Sequence, residues 1–366
     1  MEPAKYDGLS GNVRSVREES YNCTGDPLEK PRTVSEVTYD KQGNESWRAF
    51  YNGDGSVGHQ VSTIFNADGH ITSWTEFYGI SDFPPAGLHK HADFTYFGGH
   101  LVRILVYREK VLEYKTTYSY DGHGNKIREV TTEIAGGTST ERGNRYDQFN
   151  HLTERSYSSP SLRGKTTLEY DLAGNITKEA NYDNDRLSFT TTTTFDGKDP
   201  LTISSIGPAG NFISKTINTY NAAGKLVFTT TENESVNSKT NILYGDAGKI
   251  SLRDATTTAK VNRITVGSED RLKPGRIVEK YNDQGQQVER YVYDAAGDLW
   301  LTQLSSYDEL GRQTRLIETS HNIQYDRDLV YEYDSQGNRV KESCRKVTAT
   351  GEVKFFLGAK KIITYF

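Results

Sequence analysis

A six-residue pattern returns along this chain often enough to decide what it can fold into. An aromatic is followed by Asp or Asn, two variable residues, Gly and a polar residue, as in Tyr39-Asp40-Lys41-Gln42-Gly43-Asn44 and Tyr333-Asp334-Ser335-Gln336-Gly337-Asn338. Thirteen copies stand in register, led by Tyr39, Tyr51, Phe65, Tyr120, Tyr146, Tyr170, Phe195, Tyr220, Tyr244, Tyr281, Tyr293, Tyr307 and Tyr333, and Tyr96 leads a degenerate fourteenth. The second slot is Asp or Asn in twelve of the thirteen, Gly245 being the exception. The fifth is Gly in eleven, and the exceptions, Asn150 and Asp199, are residue types that tolerate a left-handed backbone. Such a pattern reads as a tight turn. The Asx side chain caps it by accepting from backbone amides, and the fifth slot needs a positive φ. A type I turn closed by a left-handed bulge is a common hairpin connection. Tyr120, Asp121 and Gly124, Tyr170, Asp171 and Gly174, Tyr220, Asn221 and Gly224, and Tyr293, Asp294 and Gly297 are the structural turn residues that this reading singles out.

Between turns the chain is rich in Thr, Val, Ile and Tyr and alternates, as in Lys126-Ile127-Arg128-Glu129-Val130. From Tyr96 to Tyr244 the lead aromatics are spaced by 24, 26, 24, 25, 25 and 24, room for two strands of about nine residues with a turn at each end. The spacings from Tyr39 through Tyr51 to Phe65, and from Tyr281 through Tyr293 to Tyr307, are 12 and 14, so both edges of the sheet carry the tight turn there. The expected fold is all-β, a long antiparallel meander of some two dozen strands forming a curled, spiral or partly closed sheet with almost no helix. Its parts are N-terminal capping strands over 1–38, the repeat array over 39–340 and C-terminal capping strands over 341–366. A meander has two open edges, and the apolar Phe355-Phe356-Leu357 and Ile362-Ile363 suggest a C-terminus that covers one of them or docks on a partner.

Composition removes several functions. Lys+Arg of 44 against Asp+Glu of 49, both signs scattered, leaves no footprint for nucleic acid or acidic lipid. Only 34% of residues are hydrophobic, and no apolar run spans a bilayer. The 24 Tyr, 14 Phe and 3 Trp argue for a folded chain despite that low hydrophobicity. Cys23 and Cys344 have no metal-type spacing, and a disulfide between them requires the two ends of the fold to meet. The opening Met1-Glu2-Pro3-Ala4-Lys5 lacks the apolar stretch of a signal peptide.

With this turn and period, the chain resembles the YD-repeat proteins, the RHS group of bacteria and their teneurin relatives, from about Tyr39 to Val340. The resemblance implies a spiralling sheet that in some members closes as a hollow shell. Toxin-bearing members carry an Asp-Pro and Gly-rich core before their toxin; here Asp26-Pro27 and Asp199-Pro200 are isolated, so the likeness is to the short, exported envelope type.

Two insertions break the period, and loops on a rigid scaffold often carry function. The first, 79–91, holds Phe83, Pro84 and Pro85 and ends in His89-Lys90-His91, whose two imidazoles share a face as a pair of metal-type ligands without a third. The second, 266–275, holds Glu269, Asp270, Arg271 and Lys273. The remaining histidines read as solvated turn or loop residues, and Trp47, Trp74 and Trp300 as packing residues with a sugar-stacking alternative. No Gly-x-Ser-x-Gly, Walker loop, His-Glu-x-x-His or Cys-His constellation appears, and no metal or cofactor is expected. The expectation is a non-enzymatic cell-envelope or secreted scaffold or binding module, a subunit of a bacterial surface complex that holds a protein partner or a glycan. The alternatives are a hydrolase with paired carboxylates and a shell around a passenger.

Overall fold

A computed structural model describes residues 9, 12–20, 32–79, 89–259, 275–320, 325–347 and 353–366. They contain 26 strands and no helix; the strands belong to one sheet, and within each of two units successive strands are antiparallel neighbours. By backbone proximity the chain divides into two units, residues 1–142 with 329–366, and residues 143–328.

The first unit corrects the expectation of a partly closed sheet with open edges. Strand β1 (Val13–Ser20) pairs with β2 (Arg32–Tyr39) on one side and with the last strand, β26 (Val353–Tyr365), on the other. The pairs Val16 with Ile363 and Ser15 with Thr364 join the two ends, and β26 also pairs with β25 (Arg339–Val347). The first and last strands are therefore joined within the first unit, and neither presents a free edge. Closure satisfies the backbone donors and acceptors that an edge strand leaves open. An apolar cluster seals this seam: Val13, Val16, Val37 and Tyr39 are buried, with Leu9 and Ile363 packed on them. At the very end, the Tyr365 hydroxyl meets the Asp334 carboxylate and the Asn338 amide of the last tight turn.

The turns have one construction. In the Tyr170 copy, Asp171 N donates to Asn175 O at 3.0 Å and Gly174 N to Asp171 O at 3.1 Å, while Asp171 Oδ1 accepts from Ala173 N and Asn175 N. Gly174 has φ 83°. Asn221 makes the same pair of bonds, to Ala223 N and Lys225 N. Asn150, without glycine's freedom, still takes φ 69° in the fifth slot. The Phe195 copy departs from the expected form. Asp196 pairs with Asp199 around Gly197-Lys198, so the positive φ sits at Gly197 and Asp199 begins a strand.

The second unit shows how so polar a sheet holds together. Its central strands carry Thr and Ser in facing positions, and the hydroxyls pair across strands, Thr191 with Ser205 at 2.8 Å and Thr216 with Thr231 at 3.1 Å. Ala180, between Thr167 and Thr190 of the flanking strands, is buried. The lead tyrosines add a third device. Tyr170 Oη donates to Leu152 O at 2.7 Å, Tyr220 to Pro200 O at 3.1 Å, Tyr244 to Leu226 O at 2.9 Å and Tyr307 to Gln287 O at 2.8 Å, each reaching back to the preceding hairpin on its own rim. In the first unit Tyr120 does the same with Leu101 O at 2.8 Å. The ring packs and the hydroxyl ties one repeat to the next.

Candidate functional site

The structure separates the residues that the sequence grouped. Phe83, Pro84 and Pro85, and Glu269, Asp270, Arg271 and Lys273, lie outside the described residues. His89 and His91 open the strand His89–Phe97 on one face, yet each has its own partners. His91 Nε2 lies 2.9 Å from Asp93 Oδ1 and Nδ1 3.2 Å from the Thr75 hydroxyl, whereas the His89 ring faces Phe77 at 4.8 Å. Among the described residues no three His, Cys, Asp or Glu side chains gather around a common point. Trp47 and Trp74 pair with Ser62 and Thr63, consecutive residues of one strand, so they stand on opposite faces and form no shared platform.

Other histidines are engaged rather than simply solvated. His70, His100 and His151 lie against the next lead tyrosines, Tyr96, Tyr120 and Tyr170, at 4.8, 4.6 and 4.7 Å between ring centroids. His59, which stands alone in the sequence, sits at the centre of a cluster in the first unit. Its Nε2 is 2.7 Å from Glu76 Oε1, which also accepts from Tyr78 Oη at 2.8 Å, and its ring lies between Phe50 and Tyr78. Hydrogen bonding to the Glu76 carboxylate, then burial, raises the Tyr78 phenol above its ordinary value. His321 lies outside the described residues.

A polar ladder crosses one face of the second unit. Arg253 Nη1 donates to Glu279 Oε2 at 3.3 Å, and Arg290 Nε lies 3.6 Å from Glu279 Oε1. Arg290 Nη1 donates to Gln303 Oε1 at 3.0 Å, Gln303 Nε2 to Glu318 Oε2 at 2.6 Å and Arg327 Nη2 to Glu318 Oε1 at 3.0 Å. The opposite face of the same strands is charged too, with Arg276 held bidentate by Asp254 at 2.9 and 2.7 Å. Only register alignment across strands assembles this ladder, so nothing in the one-dimensional pattern announces it.

The tight-turn rim is the third feature. Its recurring slots are consumed by the framework, but the variable third and fourth slots project outward. In the second unit Phe149 and Leu310 are 70% and 77% exposed and Leu172 is fully exposed. In the first unit an open cavity of about 500 Å³ lies between the Tyr39 and Phe65 turns, lined by Asp40, Gln42, Thr63 and Asn66 among others.

No family model matches the chain, and no curated protein matches it. Among solved structures, it is similar to a crystal structure of TcdB2-TccC3-TEV, at 13% identity over 90% of this chain and 22% of that one, with a TM-score of 0.32. It is similar to a Photorhabdus luminescens Tc holotoxin pore carrying the TccC3-D651A mutation, at 13% identity over 87% and 23% of the two chains, with a TM-score of 0.17. A porin-like protein from Bacteroides uniformis matches at 11% identity over 97% of this chain and 99% of that one, with a TM-score of 0.20. The chain spans about a fifth to a quarter of the toxin chains it matches. At these scores the likenesses carry no functional argument. Among the described residues no helix is long and apolar enough to cross a membrane. In the strand Arg276–Tyr281, Arg276 and Lys280 face one way and Glu279 the other, so neither side of that stretch is the unbroken apolar band of a lipid-facing strand.

Proposed function

We propose that this chain is a non-enzymatic binding module of the bacterial cell surface or of a secreted complex, a short YD-repeat protein that holds a protein partner or a glycan. The observation that carries this reading is the division of labour within the turn. Asx carboxyl and amide groups are spent on backbone amides and tyrosine hydroxyls on backbone carbonyls, which makes the rim stiff, while the variable slots carry Phe149, Leu172 and Leu310 into solvent. A rigid scaffold with exposed apolar residues at its turns suits recognition. Cys344 is disulfide-bonded, which suits an oxidising compartment outside the cytoplasm.

The test is capture from the native host's envelope fraction by the immobilised chain, with and without residues 79–91, beside the combined variant Phe149→Ser, Leu172→Ser and Leu310→Ser. A single envelope component kept by the intact chain and lost by either variant is expected. Release of reducing sugar from a polysaccharide panel would replace the binding reading with a hydrolytic one.

A further inference from the structure

Two stretches of the chain share the spacings 12 and 14, Tyr39 to Tyr51 to Phe65 in the first unit and Tyr281 to Tyr293 to Tyr307 in the second. Equivalent spacing gives equivalent turns, so each position in one stretch has a counterpart in the other. In the second unit two bonds span the gap between successive turns on one rim. Tyr307 Oη donates to Gln287 O at 2.8 Å, and Gln286 Nε2 donates to Gly311 O at 2.7 Å.

The stretch from Tyr39 to Phe65 makes neither bond. Phe65 replaces the tyrosine and has no hydroxyl. Asn44 replaces Gln286 and turns back on its own turn, its Nδ2 donating to Asp40 Oδ2 at 3.0 Å and Gln42 Oε1 at 3.3 Å. The gap stays open as the cavity of about 500 Å³. Its lining has a particular chemistry. The Lys41 ammonium, the Thr63 hydroxyl and the side-chain NH2 groups of Gln42 and Asn66 donate to nothing among the described residues. The carbonyl oxygens of those two amides are already occupied, Gln42 by Asn44 and Asn66 by the amides of Asp68 and His70. Phe65, on the same face of its strand as Thr63, supplies carbon surface beside them.

We propose that this cavity is a saccharide subsite that takes one or two hexopyranose residues of a neutral glycan. A sugar ring offers an apolar C–H face for Phe65 and several oxygens that accept from the four unspent donors. The volume falls within the range of small-ligand clefts. The lining carries one residue of each sign, Lys41 and Asp40, so it has no net charge to select a charged ring. The inference rests on the binding-module reading in its glycan form.

Saturation-transfer NMR on the full chain with neutral hexasaccharides, namely maltohexaose, cellohexaose and mannohexaose, tests it. At least one gives transfer, and Phe65→Tyr, whose hydroxyl fills part of the gap as that of Tyr307 does, weakens it about tenfold or more. Gln42→Ala and Thr63→Val weaken it in the same direction, with the unfolding midpoint showing that each variant folds. Binding unchanged in Phe65→Tyr, or no transfer from any of the three sugars, overturns the subsite. The envelope-capture variants at Phe149, Leu172 and Leu310 lie in the other unit, so a partner still captured there while no sugar binds here removes this inference alone.

Discussion

The hydroxyl of Tyr170 donates to the carbonyl of Leu152 at 2.7 Å, eighteen residues back along the chain and one hairpin away. Four other lead tyrosines repeat the bond, which gives the repeated tyrosine a role that phenylalanine cannot fill. Replacing Tyr170 or Tyr220 by Phe is expected to cost about 1 kcal/mol each, the net worth of one hydrogen bond at a partly buried site. The two sites share no partner, so the double variant should lose the sum. Urea unfolding midpoints measure this, and a Tyr170→Phe chain as stable as the parent would deny the bond any role.

Glycine at the fifth slot is expected to matter for φ, not for space. Gly297 has φ 91° and a Cβ built on it meets nothing within 4 Å, so Gly297→Ala should cost about 1–2 kcal/mol from backbone strain alone. Gly122, in a variable slot with equally open surroundings and no positive φ, is the control, and Gly122→Ala should be close to neutral. Gly79 differs from both. Its Cβ would lie 1.8 Å from Val57 O, so Gly79→Ala should be the most damaging of the three in the same unfolding assay.

Much of this architecture is legible in the chain because the turn writes its chemistry into side chains. Asp at the second slot, Gly at the fifth and a period near 25 state the hairpin, its cap and its strand length. Closure is not legible. It depends on Val16 meeting Ile363 across nearly the whole chain, and no local pattern marks two strands as partners at that distance. The Phe195 copy misleads for a related reason. Asp199 occupies the slot of a left-handed residue, but Gly197 offers an earlier position of positive φ, and the hairpin closes there. The cavity beside Phe65 is written in the sequence only as two small departures, Phe for Tyr and Asn for Gln, whose meaning appears once the Tyr307 and Gln286 bonds are seen.

Acid should weaken the turns through their aspartates. Asp171 is held below its ordinary value, first by the Asn175 side chain and then by backbone amides, and Asp308 first by the Arg312 amide. A carboxylate with a lowered folded-state pKa stabilises fully above its unfolded value of about 3.9 and loses that contribution as pH falls through the folded value. Stability should therefore be level between about pH 5 and 7 and decline below about pH 4. Asn66, Asn221 and Asn282 cap equivalent turns without a charge. Asp171→Asn should accordingly keep the turn and flatten part of the acid decline, and a decline unchanged by replacing several such aspartates would place its origin elsewhere.

The two cysteines provide the last expectation. Cys344 is disulfide-bonded and pairs in register with Phe356 of the final strand, which in turn lies beside the first strand, Val13–Ser20. The other cysteine of the chain, Cys23, lies outside the described residues. Peptide mapping without reductant should recover one cross-linked peptide joining Cys23 and Cys344 and no free thiol. A bond between positions so far apart in the chain restricts the unfolded state strongly, so its reduction should cost about 2–5 kcal/mol. The loss should appear first where the ends meet. Hydrogen exchange at the Val16 and Ile363 amides should then accelerate on reduction before that of the Thr216 and Thr231 pair in the second unit, because the seam depends on the two chain ends staying together while that pair depends only on neighbouring strands. Equal acceleration at both places would mean that the disulfide stabilises the sheet as a whole and not its closure.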